Sequence, residues 1–360
     1  MWNEPKSETE ILKTTQDMLT LRLPKDWKLV ERQQGRASGK GADLIIEVQT
    51  PDGSKAAIFF EAKRKLEPRD IPRILDQLNS YGEGARIVVS AFLTPRAREI
   101  LTEHGVGYGD ATGNFRLTLS RPALFVETKG ADRDPWSSER PLKSLKGGAA
   151  GRMVRALCDL EPPFAVRELA KRAGVSPATA SRVLELLDRE AIIKRDGRGV
   201  VNRVIRDELI KRWVRDYSLL KSNRADNFLE PRGVPALLTK LKAAKFRYAV
   251  TGALPASWLS ATAPARMLTI FVENIPKTAS AMDLRRTDTG SNVVLVEPFD
   301  DVIFERTWER NGIRCVALSQ IAADLMTGPG RDPAEGEELL KRIADASSKE
   351  LKDPSLLRRS

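Results

Sequence analysis

Three side chains in the first third of the chain combine the residue types that phosphodiester hydrolysis uses. Asp43 opens one apolar run, and Glu61 and Lys63 close a second run two residues apart. Successive strand residues point to opposite faces, so Glu61 and Lys63 leave the same face. Two carboxylates can hold a divalent cation, and a lysine beside them can steady the negative charge that develops on a phosphate. The pattern predicts a metal-assisted hydrolytic site, provided that Asp43 reaches that face.

The loop between the two apolar runs decides whether Asp43 lies on the same face as Glu61 and Lys63. The runs predict strands Leu44–Val48 and Ala56–Lys63 with a turn at Asp52-Gly53. A strict two-residue turn would set Asp43 opposite Ala62, on the wrong face. A three-residue loop or a bulge would set it opposite Glu61 or Lys63 instead. The site therefore requires a loop other than the simplest one.

The elements that must position these side chains can be predicted from periodicity and capping. Ser7 and Glu10 form a capping-box pattern at the start of an amphipathic helix. Asp70-Ile71-Pro72 is typical of a helix start. The predicted elements outside the hairpin are helix 8–23, helix 70–81, strand 86–92, helix 95–103 and strand 106–108. The expected order is helix, hairpin, helix, strand, helix, strand.

Gln77 and Tyr81 lie one turn apart on the second predicted helix and form a Q-x3-Y motif. With Asp43 and the Glu61-Ala62-Lys63 triplet, the segment from Glu8 to Leu119 resembles the PD-(D/E)xK phosphodiesterase superfamily, in particular archaeal Holliday-junction resolvases and RecB-like nucleases. The resemblance implies a restriction-endonuclease-like α/β domain that uses Mg2+ or Mn2+. It implies a catalytic set of Asp43, Glu61, Lys63 and Gln77, and a metal set of Asp43, Glu61 and Glu10.

Each of these residues also has a simpler interpretation. Glu10 can be a capping residue, and Tyr81 can be a core-edge tyrosine. The whole domain can be folded but catalytically inactive, or the hairpin can be an ordinary surface element. His104, the one histidine of the chain, falls near a predicted helix end and suits a structural role.

The middle of the chain carries most of the excess positive charge. The net charge is +11, and residues 151–222 hold 16 basic against 10 acidic residues, a balance of +6. A concentrated basic patch attracts polyanions. Within it, a short helix at 166–170, the turn Ala173-Gly174-Val175 and a second helix from Ser176-Pro177 to Arg189 are followed by two β-prone runs around Asp196–Gly199. The second helix is expected to bury Ala180, Val183, Leu184 and Leu187.

This arrangement resembles the winged helix-turn-helix domains of bacterial regulators of the MarR and IclR kind. The resemblance implies that the second helix enters the major groove of DNA, with Arg182 at a guanine and Ser176 and Thr179 at phosphates or base edges. The wing would follow the DNA backbone or minor groove; its basic residues are Lys194, Arg195, Arg198 and Arg203. The alternative is a winged helix used for protein contacts.

The last third predicts another α/β unit. Residues 246–251, 252–259 and 267–273 suggest a strand, a turn with a helix, and a strand, as in a degenerate nucleotidyltransferase-like core. Active members need a Gly-Ser turn and a D-x-D pair, where this chain has Gly252-Ala253 and Glu273. The segment around 319–343 is similar to the C-terminal part of AbiEi-type antitoxins and regulators. A packing or dimerisation domain without a ligand is the alternative.

Composition and length complete the expectations. Two or three domains fit 360 residues, with predicted bounds of 1–130 for the nuclease-like domain, 131–151 for a linker, 152–222 for the winged helix and 234–347 for the last domain. Cys158 and Cys315 suggest reduced thiols, and the polar N-terminus and short apolar runs suggest a cytoplasmic, nucleoid-associated protein without a membrane partner.

Two functions follow from these expectations. In the first, a winged helix engages double-stranded or branched DNA and the N-terminal domain cuts it with Mg2+, in defence or repair. In the second, the chain is an AbiEi-like regulator or antitoxin whose nuclease-like domain binds DNA, a partner toxin or a defence protein without cutting. Either fits a homodimer, because such proteins act on both strands.

Overall fold

The structure is a computed structural model of the chain, and it describes residues 3–32, 41–137, 142, 144–259, 265–346, 349–350 and 353–354. The predicted linker therefore lies partly outside the described residues, at 138–141 and 143. The chain divides into two compact units. The first is Met1–Arg140 with Arg189–Ala191, and the second is Pro141–Asp188 with Ile192–Ser360.

The first unit alternates helices and strands. Its elements are α1 (Glu8–Thr20), β1 (Lys28–Arg32), β2 (Leu44–Gln49), β3 (Lys55–Lys63), α2 (Ile71–Leu78), β4 (Ala85–Ser90), α3 (Pro95–Glu103), β5 (Gly107–Asp110), β6 (Phe115–Leu119) and β7 (Leu124–Thr128). A short 3-10 helix, Pro68–Asp70, leads into α2.

One sheet organises this unit, with its strands in sequence order from β1 to β7. The pairs β3–β4 and β4–β5 are parallel and the other neighbours are antiparallel. Each face has its own core. Ile11 and Leu19 of α1 pack with Ile58 and Phe60 on one face. The helices α2 and α3 cover the other face, where Phe59 belongs to the core. Because β3 alternates between the two cores, its odd-numbered residues face α2 and α3.

The predicted elements of this unit are present with shifts at their ends. The second helix ends at Leu78 rather than Tyr81, and the strand predicted at 86–92 spans 85–90. The expected order was incomplete, because it lacked β1, β6 and β7. The strand β1 lies at the sheet edge and is largely exposed, so it has little of the alternation that marks a strand.

The second unit contains a helical block followed by a second sheet. Its elements are α4 (Gly148–Asp159), α5 (Val166–Arg172), α6 (Pro177–Arg189), β8 (Ile193–Arg195), β9 (Val201–Val204), α7 (Arg206–Trp213), α8 (Leu219–Ser222), β10 (Arg224–Leu229), α9 (Gly233–Lys242), β11 (Tyr248–Thr251), α10 (Ala253–Leu259), β12 (Leu268–Val272), α11 (Ile275–Ala281), β13 (Arg285–Arg286), β14 (Val293–Glu297), β15 (Trp308–Arg310), β16 (Ile313–Cys315), α12 (Leu318–Met326) and α13 (Asp332–Asp345).

The second sheet has the strand order β13-β10-β14-β12-β11-β16-β15 and also mixes parallel and antiparallel pairs. Residues 223–233, which the predicted bounds leave between the winged helix and the last domain, contain β10, which pairs with β13 and β14. Its side chains are mostly half-exposed, so hydrophobic periodicity did not mark it. The helical block and this sheet share one continuous core rather than two.

The fold class is therefore α/β with mixed sheets in both units. Within the residues described, no helix has the length and apolar composition needed to cross a bilayer.

Candidate active site and nucleic-acid interface

The loop between β2 and β3 sets the register on which the candidate site depends. Paired residues run from Leu44 with Phe60 to Gln49 with Lys55, and Thr50 then donates its amide to Ser54 O at 3.0 Å. Three residues remain in the loop, which is the three-residue alternative. Pro51 suits the second position of a type I turn, and Gly53 adopts the positive φ of +86° that closes the loop. This register brings Asp43 level with Glu61.

Asp43 is fixed beside the Glu61–Lys63 strand end by its own carboxylate. Its Oδ2 accepts a hydrogen bond from the amide of Ala62 at 2.8 Å. Burial raises the pKa of Asp43 above its usual range, and repulsion from Glu61 and Glu8 adds to the rise. The Ala62 amide and the Lys63 charge act in the opposite direction. Two further carboxylates therefore lie close enough to Asp43 for their charges to act on it.

Glu61 is the centre of the cluster. Its side chain is 1% exposed, so its charge must be paired or hydrogen-bonded to be tolerated. Both oxygens are engaged: Lys63 contacts Oε1, while Gln77 Nε2 at 2.9 Å and Tyr81 Oη at 2.5 Å donate to Oε2. The carboxylate is held in one orientation by these three donors.

Gln77 and Tyr81 act together, as their four-residue spacing predicts. Gln77 Nε2 also lies 2.9 Å from Tyr81 Oη, although Tyr81 follows the end of α2. Burial, and then the hydrogen bond and charge of Glu61, raise the pKa of Tyr81 well above its usual value. The phenol consequently remains protonated and donates to Glu61. The core-edge interpretation of Tyr81 also holds in part, because its ring packs against Phe59.

The Lys63 ammonium lies where two oxygens converge. It contacts Glu61 Oε1 and also donates to Ala62 O at 3.0 Å. A carboxylate oxygen and a backbone carbonyl are the ligand types that hard divalent cations prefer. In this arrangement the lysine supplies the positive charge that Glu61 needs.

Glu10 is not brought to this cluster. Its carboxylate accepts the Lys6 amide at 2.7 Å and its own amide donates to Ser7 Oγ, so it is a capping residue on the exposed side of α1. Glu8 is the acid of α1 whose charge acts on Asp43. It shares the helix face of the buried residues Ile11 and Thr15, at three- and four-residue spacing.

The residues present suit a largely hydrated cation better than a fully caged one. No group of three or more His, Cys, Asp or Glu side chains in the described part of the chain is arranged to hold a metal ion. Mg2+, however, keeps several waters and often binds only one or two carboxylates. Asp43, Glu61 and the Ala62 carbonyl would supply such a set, with Oδ1 of Asp43 accepting no hydrogen bond from the described residues.

A further acid at the same sheet end was not anticipated, and it is structural. Asp110 ends β5 and is fully buried. Its two oxygens accept bonds from the amides of Leu93, Thr112 and Asn114 and from the side chains of Thr112 and Asn114. A carboxylate saturated by five donors organises the 110–114 loop and has no lone pair to offer a metal.

The predicted recognition helix is α6. The four residues expected to be buried are buried, and Leu186 is buried with them. Arg182 is exposed and forms no ion pair or hydrogen bond with the residues described. Ser176 caps α6: its Oγ accepts the Thr179 amide at 3.1 Å and lies 2.9 Å from Thr179 Oγ1. Both hydroxyls are thus engaged at the helix start, whereas Arg182 is available to a partner.

The predicted wing is the β8–β9 hairpin, whose loop is organised by Asp196. Its carboxylate accepts the amides of Arg198 and Val200, and these bonds, that of Val200 first, lower the pKa of Asp196. Lys194, Arg198 and Arg203 are exposed. Arg195 differs, because its guanidinium pairs with Asp188 of α6 at 3.2 Å. Three of the four predicted wing cations therefore have solvent-exposed charges. The fourth, Arg195, connects the wing to α6 through its ion pair.

Comparisons of this chain with family models, with curated proteins and with solved structures found no match in any of the three.

Proposed function

We propose that this protein is a DNA-binding phosphodiesterase that cuts DNA with Mg2+ or Mn2+ at the Asp43–Glu61–Lys63 cluster. The observation that carries the proposal is the hydrogen bond from the Ala62 amide to Asp43. It sets two carboxylates and one ammonium at a single strand end, in the register that the sequence pattern requires. A solvated surface hairpin has no need to bury Glu61 and to aim three donors at it.

The residues divide the chemistry between them. A bound Mg2+ would polarise the scissile phosphate and acidify a water molecule. Asp43 and Glu61 would bind the cation, and the Lys63 ammonium would stabilise charge on the phosphate once it leaves Glu61. Gln77 and Tyr81 keep Glu61 oriented. The exposed cations of α6 and the wing would hold the duplex through its phosphates.

Cleavage of supercoiled plasmid and of a four-way junction in Mg2+ tests this proposal. The variants Asp43→Asn and Lys63→Met remove charge with little change in volume, whereas truncating buried Glu61 would leave its donors unpaired. We expect each variant to lower the cleavage rate by about 10²–10³-fold, the usual effect of removing one electrostatic group from a site.

Asp26→Asn and Lys13→Met are matched controls, because both residues are exposed and form no ion pair with the described part of the chain. They should cut like the wild type. Equal products from wild type, Asp43→Asn and Lys63→Met would contradict the proposal.

A second function is favoured by one specific observation. Both oxygens of Glu61 are already engaged by Lys63, Gln77 and Tyr81. A cluster so fully satisfied can also serve a DNA-binding regulator or antitoxin that does not cut. In that case Arg182→Gln would abolish binding to a specific duplex, such as the protein's own promoter, and no metal would elicit cleavage. Cleavage that depends on Lys63 would exclude this alternative.

A further inference from the structure

A groove of about 830 Å³ lies at the other end of the first unit's sheet. It is bordered by the starts of β4 and β5, the end of β6 and the last turns of α2 and α3, with Lys55 at the start of β3 on its rim. Strand residues rise by about 3.3 Å each, so Lys55 lies roughly 26 Å from Lys63 along β3. The groove is therefore separate from the candidate active site.

The groove has an excess of positive charge. Lys55, Arg86, Arg116 and Arg121 line it, against Glu83. Two of these cations have partners, since Arg116 pairs with Glu127 at 3.0 Å and Lys55 lies 3.5 Å from Glu47. The other two are the arginines at 86 and 121, which form no ion pair or hydrogen bond with the described residues.

Arg86 carries the strongest indication of a ligand. Its Nε is buried and has no acceptor among the residues described. The terminal nitrogens of Arg86 are not enclosed as its Nε is, and they also have no acceptor among the residues described. Because a guanidinium matches the paired oxygens of a phosphate, an anionic ligand in the groove would pair with these terminal nitrogens.

The rest of the lining indicates the size and kind of that ligand. Leu78 and Val106 provide buried apolar surface, and Thr118 and Ser120 add hydroxyls at the rim. An apolar floor beside cations suits a flat ring that carries a phosphate, and the volume lies within the usual range for small-molecule sites, roughly 300–1,000 Å³.

Two of the carbonyls at the helix ends beside the groove already have partners. The carbonyls of the last turns would repel an anion if they were free. Leu75 O, however, accepts the Asn79 amide at 3.0 Å, and Leu101 O accepts the Val106 amide at 2.9 Å. These carbonyls are satisfied within the chain.

We infer that this groove binds a phosphate-bearing small molecule of mononucleotide size, with Arg86 and Arg121 at the phosphate. DNA carries the same phosphate chemistry, but the groove has the volume of a small ligand. The inference is independent of whether the Asp43–Glu61 site cuts DNA.

His104 offers a direct readout, since it is the only histidine of the chain and it lines the groove. Its Nδ1 bonds to Ile100 O at 2.9 Å, which keeps the ring in place at the end of α3. AMP, inorganic phosphate and a short DNA duplex would each be titrated into the full-length protein, with the His104 ring resonances followed by NMR. AMP is expected to give a saturable shift, and phosphate a weaker one.

Three variants test whether AMP binding depends on the groove arginines or only on the overall positive charge. Arg86→Gln should weaken AMP binding by about tenfold or more, the usual loss of one charge-assisted pair. Arg121→Gln, an exposed position that cannot disturb the core, should weaken it several-fold. Arg133→Gln removes the same charge from an exposed site beyond the opposite end of β5 and should change the affinity by less than about twofold.

Three results would overturn the inference: no saturable shift with AMP at millimolar concentration, equal AMP affinity in wild type and both groove variants, or a His104 shift with the duplex alone. Asp43→Asn should bind AMP like the wild type even if it has lost cleavage. That result distinguishes failure of the groove from failure of the active site.

Discussion

At the scale of single residues, the structure brings four of the predicted site residues together and places Glu10 apart from them. Asp43, Glu61, Lys63 and Gln77 are brought together as their spacing predicts. Glu10 matched a capping pattern and is a cap, while Glu8 shares the buried face of α1. Local hydrogen bonding competes for acidic residues at a helix start, so residue type alone could not decide between the two acids.

Tyr81 makes the clearest prediction at this scale. Tyr81→Phe keeps the ring that packs on Phe59 but removes the hydroxyl that donates to Glu61. The loss of a hydrogen bond to a buried charged group should lower local stability by about 1.5–3 kcal/mol. Hydrogen exchange of the β3 amides measures this directly, since it reports local opening.

Tyr108→Phe is the matched control. Tyr108 is similarly buried, at 6% exposure against 9% for Tyr81, but its hydroxyl lies 3.5 Å from Glu127. We expect a loss below about 1 kcal/mol there. Similar losses in the two variants would show that Glu61 does not depend on Tyr81.

At the scale of elements, prediction succeeded where a segment has its own pattern and failed where pairing partners define it. The helix Pro95–Glu103 begins and ends as expected, because Thr94 caps it and proline opens it. The strands β1 and β10 lack strong alternation, and their place in a sheet depends on neighbours distant in sequence. The sequence left the length of the β2–β3 loop open; the loop has three residues, and Pro51 occupies the second position of its turn.

Gly53 adopts a backbone conformation in that loop that would be strained for a residue with a Cβ. Its φ is +86° and no atom lies within 4 Å of an added Cβ, so strain rather than collision decides the effect of Gly53→Ala. We expect a loss of about 1–2 kcal/mol in the unfolding free energy, the cost of a left-handed conformation for a residue with a Cβ. Urea denaturation of the full chain is the measurement.

Gly197, in the β8–β9 loop, is the counterpart without strain. It also has open space around an added methyl group but no positive φ. Gly197→Ala should change the unfolding free energy by no more than about 1 kcal/mol. Any change should be stabilising, because alanine reduces the conformational entropy of the unfolded chain. If Gly53→Ala proved equally harmless, the loop conformation would not be what holds the register.

At the scale of the whole molecule, the second unit is unified by a buried polar network that sequence patterns could not reveal. Asp324 of α12 accepts bonds of 2.6 Å from Tyr217, Thr251 and Gln320, and Arg155 of α4 donates to Gln320 at 2.8 Å. These residues come from the helical block and from the sheet region, whose apolar cores are continuous. Buried polar residues at scattered sequence positions leave no periodic signal, which is why two separate domains were predicted here.

This network makes stability depend on pH. Burial raises the pKa of Asp324 from 3.8 to about 6. Between about pH 4 and 6 the folded state holds a proton that the unfolded state has lost, so this group's contribution to stability falls as pH rises and levels off above about 6. The change should be on the order of 1–3 kcal/mol, at 1.36 kcal/mol per pKa unit.

Asp324→Asn removes that ionisation and isolates the effect. An amide at this position will alter the hydrogen bonds, which adds an offset that does not vary with pH. The difference in unfolding free energy between variant and wild type should therefore change across pH 4–6 and stay constant above it. A difference that is flat from pH 4 to 7 would show that Asp324 does not titrate in this range.

The ammonium of Lys63, bound to Glu61 and to the Ala62 carbonyl, means that the buried charge of Glu61 is balanced without any added ion. Folding of the first unit should consequently proceed in the presence of a chelator, unlike that of proteins whose metal is a structural component. An incoming cation must compete with a tethered one for the same oxygens, so its apparent affinity is reduced by the free energy of moving the lysine aside. If the protein cuts DNA, the intracellular supply of free divalent ion, rather than the amount of protein, would then set how much of it is active at any moment.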